Sequence, residues 1–489
     1  MDTELLKIPL GHLDYDIDQR ISNSIDLRMH MFHGSILPVF FLPFNWIVKR
    51  EFPLYHGAMG SYVITGGSPL NGSIRISGNK NAALPCIAAT LLTDSPVTLQ
   101  NIPAIEDVNV MIELLRNLGS QVEWIGQNSI RVQTSAALSR GNNQLSPRLV
   151  DAIRASLLLA GPMVARTGGI SLPPPGGDVI GFRRLDTHFF ALEALGSICR
   201  ITDDGFLEIT SDGLHGAAVF LDEASVTATE NVIMAAVLAK GKTTIRNAAS
   251  EPHVQDLCNL LTSMGADILG LGSNLLTITG VQKLWGADFS IGADYMEVGS
   301  FIGLAGATGG ELELTGVDIV QLPMIAKGFG RIGVSWKVTG TDSILVPSEQ
   351  TRIIQKTVSG QTHKIDDAPW PGFPADLLSI ITVVATQMRG SVLIHEKMYE
   401  SRMFFIDWLI RMGADIILCD PHRAIVNGPT QLKPAEVASP DVRAGMALVI
   451  AALCADGVST IQNIYQIERG YERLSEKLLG VGAKIRRMT

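Results

Sequence analysis

Six times along the chain an apolar stretch with helical periodicity runs into a glycine and then into a short alternating stretch. The copies read ELLRNLGSQVEW, ALEALGSICRI, LLTSMGADILG, AKGFGRIGVSW, WLIRMGADIIL and KLLGVGAKIRR. Their glycines are Gly119, Gly196, Gly265, Gly330, Gly413 and Gly482. Glycine ends a helix in the left-handed conformation without a Cβ penalty, so each copy predicts a helix, a stop and a strand. A recurrence of this kind sets the architecture before any site is considered. Five copies are preceded by a strand-to-helix link: NIPAIEDVNVM, NAASEPHVQDL, TGVDIVQLPM, EKMYESRMFF and NIYQIERGYERL. The copy ending at Gly196 has SLPPPGGDVIGFRRLDTHFF instead. A Pro/Gly-rich, charged loop inserted into one repeat is where function is expected.

Between the glycines the pattern predicts helix, strand, helix, strand, as in VIMAAVLAKG, KTTIRN and EPHVQDLCNLLTSMG, and again in AGMALVIAALCADG, VSTIQN and YERLSEKLLGVG. YVITGG and GSIRISG alternate like paired strands joined by the turn GGSPLNG. A unit this small cannot bury its own apolar face, so copies must associate. Two groups of three is the natural solution, with the cut near residue 247. Helices such as SLLLAGPMVA, VIMAAVLA and MALVIAALCA are apolar on most faces. That predicts helices inside and sheets outside.

A length of 489 residues calls for two or three domains. A net charge of -9 argues against a general nucleic-acid binder but not against local arginine clusters that hold small anions. Cys86, Cys199, Cys258, Cys419 and Cys454 lack metal-ligand spacing, which predicts reduced core thiols in a cytoplasmic protein, without a zinc site or a disulfide framework. Residues 1–58 stand outside the repeats. Their stretch MFHGSILPVFFLPFNWIV is broken by prolines, a poor membrane span, and MDTELLKIPL lacks the basic start of a secretory signal. Either translation begins at Met59, directly before the first strand, or the segment is an accessory.

Specific motifs then narrow the reading. ISGNKNAALP, RASLLLAGPMVAR, LPPPGGDVIGFRRLDTH, SVTATEN, ADYMEVGSF, PGFPAD, ESRMFF, DVRAGMALV and IERGYERL occur in one order over residues 60–489. Together they resemble the UDP-N-acetylglucosamine 1-carboxyvinyltransferases, enolpyruvyl transferases of the first committed step of peptidoglycan synthesis. The resemblance implies an α/β fold of two inside-out, barrel-like domains, each of three βαβαββ-type repeats. It divides the chain into an extension, 1–58, a first domain of 59–79 plus 248–489, and a second of 80–247 with the catalytic loop at 173–184. The implied substrates are phosphoenolpyruvate and UDP-N-acetylglucosamine, with no metal, redox cofactor, nucleic acid or membrane involved.

Such a reaction needs clamps for a phosphate and a carboxylate, an acid to protonate the methylene carbon and a base for the hydroxyl. Lys80 and Asn81 open a helix after Gly78, where exposed N–H groups favour an anion. Read alone, GNKN is also a turn with an N-cap; the resemblance makes the pair a grip on phosphoenolpyruvate. Arg154 lies in an apolar helix and needs an anion, either Asp151 or, by resemblance, substrate. In the loop 173–184 three prolines limit the conformations and Gly176 and Gly177 permit a hinge. It is either a solvated turn or, by resemblance, a lid with Arg183 as its phosphate ligand.

The resemblance also places Arg183, Arg184, Leu185, Asp186 and Thr187 along the nucleotide, with Ser225, Val226 and Thr227. His188 either orients substrate or makes a contact at the helix start. Asp294 is either an N-cap or the base that accepts the sugar hydroxyl proton. Arg402 and Arg443 match cleft arginines, whose planar forks suit carboxylate and phosphate, although Arg402 could pair with Glu400.

Asp178 is the main departure. Many relatives have cysteine here, as general acid and as the target of fosfomycin. An aspartic acid can serve only if its pKa is raised from about 3.9 by burial or a nearby anion. Tyr295 and Ser250 stand where arginine is common, Glu223 where lysine is, and Asp366 with Asp367 where a basic residue is. Two further readings stay open: a non-catalytic or regulatory paralogue, and 3-phosphoshikimate 1-carboxyvinyltransferase, which would need a GDKS-type head and a second phosphate site.

Overall fold

The computed structural model describes residues 60–135, 138, 145–177, 180, 181 and 183–488. The extension 1–58 and Asp178 lie outside them. Six helices are buried over most of their length, as their all-round apolar sequences demand. They are α1 (Lys80–Ala89), α2 (Ala160–Thr167), α3 (Val226–Ala236), α4 (Tyr295–Thr308), α5 (Leu378–Ala385) and α6 (Val442–Cys454). Helices α4, α5 and α6 pack on one another, as do α2 and α3.

Six small sheets accompany them. Five have four strands with the same make-up, one parallel pair followed by two antiparallel pairs. The sixth, Gly169–Leu172, Leu207–Thr210 and Ile198–Ile201, is antiparallel and has no parallel edge strand among the described residues. It belongs to the repeat that carries the Pro/Gly loop.

In three units a buried helix joins the two parallel strands: Ala218–Phe220 through α3 to Lys242–Arg246, Lys364–Asp366 through α5 to Gly390–His395, and Glu436–Ala438 through α6 to Val458–Gln462. Two other units exchange strands. Asn71–Arg75 leads through α1 to Val97–Gln100 but pairs with Glu311–Thr315. Asp288–Ser290 leads through α4 to Glu311–Thr315 but pairs with Val97–Gln100. The crossing segments run antiparallel, side by side. The Asn79 N–H donates to the Gly292 carbonyl at 2.8 Å and the Asp294 N–H to the Ser77 carbonyl at 2.9 Å.

The hairpin expected from YVITGG and GSIRISG does not form. Ser61–Thr65 inserts between Val458–Gln462 and Lys484–Met488, so the two strands lie in different sheets. The turn does not close on itself because its N–H groups go elsewhere: Gly66 donates to Gly457 and Gly67 to Leu453.

Buried apolar residues form two clusters. One joins Tyr62–Ile76 to Tyr295–Ile485 and the other spans Ala82–Ile291. Residues 248–291 therefore pack with the second cluster, not with the first as the cut at 247 expected. The sequence there continues the helix-stop-strand rhythm without interruption, so no local signal marks the exchange. A second correction concerns Gly330, which lies inside the helix Pro323–Arg331. The left-handed glycine of that repeat is Gly333, at φ 80°, like Gly119, Gly196, Gly265, Gly413 and Gly482 at 93° to 102°. Of the cysteines, Cys86 and Cys258 are core thiols, whereas Cys419 is exposed on an outer strand. Among the described residues no helix is long and apolar enough to cross a membrane.

Gly78 sits where the crossing strands leave no room: a Cβ there would lie 1.6 Å from the Asn101 carbonyl oxygen. That oxygen is backbone and cannot turn away. Gly78→Ala is expected to destabilise the protein by about 1–3 kcal/mol or more, read as a lower urea midpoint. An unchanged midpoint would mean that the crossing is free to shift.

Candidate active site

A cavity of about 290 Å³ is lined from both apolar clusters and receives Lys80, Asn81, Arg154, Arg183, Val226, Thr227, Arg402 and Arg443. Most of its cations are organised around two carboxylates, buried Asp107 and half-buried Asp376. Asn79 caps α1 by accepting from the N–H groups of Asn81 and Ala82, which sets Lys80 at the first turn. Its Nζ lies 2.6 Å from Asp107 Oδ2, and Arg469 Nε lies 2.8 Å from Asp107 Oδ1. Burial would raise the Asp107 carboxyl, but the Lys80 and Arg469 charges outweigh it and hold it below the usual range.

The second carboxylate is Asp376. Arg402 Nη2 approaches Oδ1 at 2.5 Å and Arg443 Nε approaches Oδ2 at 3.0 Å. Burial opposes ionisation here too, and the two guanidinium groups overcome it. The Arg443 guanidinium also lies over the Tyr471 ring, at 5.0 Å. Arg402 Nε and Arg443 Nη1 are buried without a hydrogen-bond partner, and Arg402 takes Asp376, not Glu400. Each centre brings two cations into contact with one carboxylate, so counted by these contacts one positive charge is left over at each for a ligand anion.

Among the described residues Arg154 pairs with no carboxylate; it donates to the Arg183 carbonyl at 2.8 Å and to the Pro175 carbonyl at 3.5 Å, not to Asp151. Burial and the nearby Arg183 charge lower its pKa to about 10, so it stays charged near neutral pH. It thereby ties the helix side of the cavity to both ends of the Pro/Gly loop.

His188 is buried behind this wall. The Gly161 N–H donates to Asn231 Oδ1 at 2.7 Å, which turns the Asn231 amide nitrogen toward His188 Nδ1 at 3.1 Å. Nδ1 is then an acceptor, and the Nε2 proton goes to Thr227 Oγ1 at 3.1 Å. Burial, aided by the Arg154 charge, lowers the His188 pKa to about 3 and keeps it neutral. His188 therefore positions Thr227, and through it the start of α3.

Other expected residues lie away from the cavity wall. Arg184 pairs with Asp186 and Asp222 near the surface, and Thr187 donates to Asp222 at 2.6 Å. Leu185 gives its carbonyl to the start of the next helix and Ser225 caps α3. Asp294 caps α4, accepting from Met296 and Glu297, while its neighbours Tyr295 and Met296 face the cavity.

The family model described as EPSP synthase (3-phosphoshikimate 1-carboxyvinyltransferase) matches residues 64–478. The relatives separate within that fold. UDP-N-acetylglucosamine 1-carboxyvinyltransferase of Treponema denticola is 56% identical over 87% of this chain and 99% of its own length. That of Bradyrhizobium diazoefficiens is 53% identical over 87% and 98%. The chain belongs to the UDP-N-acetylglucosamine 1-carboxyvinyltransferase family. Its fold is that of the enolpyruvyl transferases: the structure of the enolpyruvyl transferase NikO from Streptomyces tendae matches with a TM-score of 0.78 at 25% identity, over 88% of this chain and 99% of that one. EPSP synthase from Acinetobacter baumannii matches with a TM-score of 0.67 at 17% identity, over 88% of this chain and all of its own.

For a member of this family, the sequence reading missed both anions and one of their cations. Asp107, Asp376 and Arg469 lie within EDVNVM, PGFPAD and IERGYERL, where only the pattern and not the pairing was visible. It also read Asp366 and Asp367 as standing where a basic residue is common. Asp366 does pair with Lys364 and Lys397 outside. Asp367 is fully buried and accepts from the N–H groups of Lys397 and Met398, beside Glu396, which accepts from Met398 and Tyr399. Burial and the neighbouring Asp367 push the Glu396 carboxyl up to about 9. The pair holds the turn that carries Tyr399 and Arg402.

Asp376→Asn leaves two buried guanidinium groups without their counter-charge. It is expected to cost about 3–5 kcal/mol at neutral pH. The folded carboxyl titrates below its unfolded value, so its contribution is present above about pH 4 and is lost as the pH falls further. The difference between parent and variant in urea unfolding should shrink in that acid range. A pH-independent difference would count against the ionic role.

Proposed function

We propose that this chain transfers the enolpyruvyl group of phosphoenolpyruvate to the 3-hydroxyl of UDP-N-acetylglucosamine and releases phosphate. The observation that carries this reading is the cavity with two carboxylate-centred cation pairs, each with a residual positive charge. Phosphoenolpyruvate has two anionic groups of its own, a phosphate and a carboxylate, and needs two such clamps. The curated relatives bear the name of this reaction.

In this reading Lys80 and Asn81 with Arg402 and Arg443 hold phosphoenolpyruvate, and Arg154 and Arg183 close on its phosphate. Residues 183–188 and 225–227 follow the nucleotide. Asp178 gives a proton to the methylene carbon, and the sugar oxygen bonds to the adjacent carbon. Asp294 accepts the hydroxyl proton. The methyl group so formed returns a proton to the Asp178 carboxylate as the carbon–oxygen bond to phosphate breaks, and the proton taken by Asp294 leaves with the phosphate. Closure of the loop 173–184 would exclude water and strengthen each ionic contact. The protein would work in the cytoplasm, where both substrates are made.

The architecture that suits this work is two inside-out domains of three repeats, 60–77 with 294–488 and 80–291, joined by the two crossing segments. The cavity is then the cleft between them. The membership of the two apolar clusters supports this division.

Purified protein should release phosphate from phosphoenolpyruvate only when UDP-N-acetylglucosamine is present. Lys80→Ala should lose phosphoenolpyruvate affinity while the fold survives, since it removes a clamp and no core volume. Undiminished turnover would move the site elsewhere.

A carboxylic acid can protonate carbon only in its neutral form, so activity should fall as pH rises through the pKa of Asp178 in the ternary complex. Asp178→Asn should reduce turnover by roughly 10²-fold or more with substrate binding retained. The parent should resist fosfomycin, because a carboxylate opens an epoxide far less readily than a thiolate does. Asp178→Cys should stay active and become sensitive. An active Asn variant, or a fosfomycin adduct on the parent, would sink the assignment.

A further inference from the structure

The Tyr399–Arg402 turn is held from beneath by two acids. The strands Lys364–Asp366 and Gly390–His395 run parallel with Asp366 opposite His395, so the next residues, Asp367 and Glu396, fall side by side. Both are fully buried. The Lys397 N–H donates to Asp367 Oδ1 at 2.6 Å, and the Tyr399 N–H donates to Glu396 Oε1 at 3.0 Å. Between them the Met398 N–H donates to both groups, at 3.2 Å each. Two carboxyls that divide one donor are close neighbours.

Among the described residues neither acid has a cation of its own. Lys364 and Lys397 pair with Asp366, and Arg402 pairs with Asp376. Like charges buried together resist ionising together, and such a pair keeps one proton. Glu396 Oε2 is buried without a hydrogen-bond partner. It shares a second, smaller cavity with Arg402, whose Nε has no partner, and with Ser379, whose hydroxyl has none. Asp441 lies on the same cavity wall. Tyr399 stands on the turn itself, with the Arg402 guanidinium over its ring at 5.1 Å. From the next hairpin His422 Nδ1 meets the Glu396 carbonyl at 2.9 Å.

We propose that Asp367 and Glu396 are positioning residues for Arg402 that work as a pair with one shared proton. In that form they fix the turn and carry a single negative charge, and the surplus charge at Arg402 stays available to the anionic donor. When the proton passes to solvent, a second negative charge stands beside Arg402 in a site of low effective dielectric. It then competes with the donor's phosphate and carboxylate for the guanidinium. Burial and the Asp367 charge raise the Glu396 carboxyl to about 9, so the proton is held at neutral pH and lost in the alkaline range. The proposal rests on the proposed function, which supplies phosphoenolpyruvate as the donor.

The test is the KM for phosphoenolpyruvate of the full-length chain at saturating UDP-N-acetylglucosamine, followed from about pH 7.5 to about pH 10. In the parent it should rise by roughly 10-fold or more, the effect of one unit charge a few ångströms from a bound anion. Glu396→Gln keeps the acceptor for Tyr399 and puts an amide N–H where the shared proton lies, so it cannot gain the charge. Its KM should change by less than about 3-fold over the same range. Asp367→Asn leaves one acid to carry the one charge and should be as flat. Lys80, Asp178 and Arg402 are the same in all three proteins, so their titration cancels in the comparison. A pair that merely held the turn would shift KM by the same factor at every pH.

A parent whose KM stays level, a folded variant that repeats the parent's rise, or the failure of both variants to fold would each overturn the pair. Failure of the parent to release phosphate at any pH would instead overturn the proposed function, and with it the identity of the donor.

Discussion

Asp107 lies between Lys80 and Arg469, and Asp376 lies between Arg402 and Arg443, so each carboxylate faces two cations. Removing an ion from water costs several kcal/mol even after the protein relaxes. Four cations could not line one cavity without those two anions. Yet two anions do not cancel four cations. The residual positive charge at each centre, in a site of low effective dielectric, is the source of the anion affinity. Arg402 Nε and Arg443 Nη1, buried without partners, are donors still to be satisfied. The arrangement that makes the fold tolerable is the one that makes the site reactive toward anions.

The Asp107 centre also links the two apolar clusters. Lys80 and Asp107 stand on elements of the cluster spanning Ala82–Ile291, whereas Arg469 follows Ile467 of the other. The covalent links between the clusters are the crossing segments at Ser77–Asn79 and Ile291–Asp294. There Glu297 Oε2 accepts the Ser77 N–H and Oε1 meets Lys477 Nζ at 2.5 Å. Lys80 and Asp294 directly follow those segments. Residues assigned to chemistry therefore sit at the two places where the chain changes cluster, and any change in the angle between clusters moves them together.

Much of this was legible in the sequence, for identifiable reasons. The buried helices could be read because the segments of α2, α3 and α6 are apolar on most faces. The helix stops could be read because five of the six glycines adopt positive φ. The sixth misled, since GFGRIG offers three glycines and only Gly333 is left-handed. Pairing across long distances was not legible. Ser61–Thr65 and Asn71–Arg75 alternate like a hairpin, but alternation records which face is buried and not which strand lies alongside. The exchange of parallel strands left no local trace for the same reason. At the site, Lys80, Arg402 and Arg443 were found as cations, but the carboxylates that hold them were not, because a partner in space leaves no spacing in sequence.

The departures from the family pattern acquire physical meaning once placed. Asp367, read as a lost basic residue, is a buried acceptor beneath the Tyr399–Arg402 turn. Ser250 and Tyr295, read as lost arginines, adjoin Glu251 and Trp370: Ser250 donates to the Trp370 carbonyl at 3.4 Å, and Tyr295 meets the Trp370 ring. An arginine at either position would have offered the carboxyls of Glu230 and Glu251 a counter-charge and favoured their ionised form. Without one, burial and the Glu251 charge push the Glu230 carboxyl well above its ordinary range. The same low dielectric thus leaves the Asp107 and Asp376 carboxyls below their ordinary range, where cations flank them, and the Glu230 carboxyl above its own, where a second acid is its neighbour. One cavity obtains two different surfaces from one set of carboxyl groups by the company each keeps.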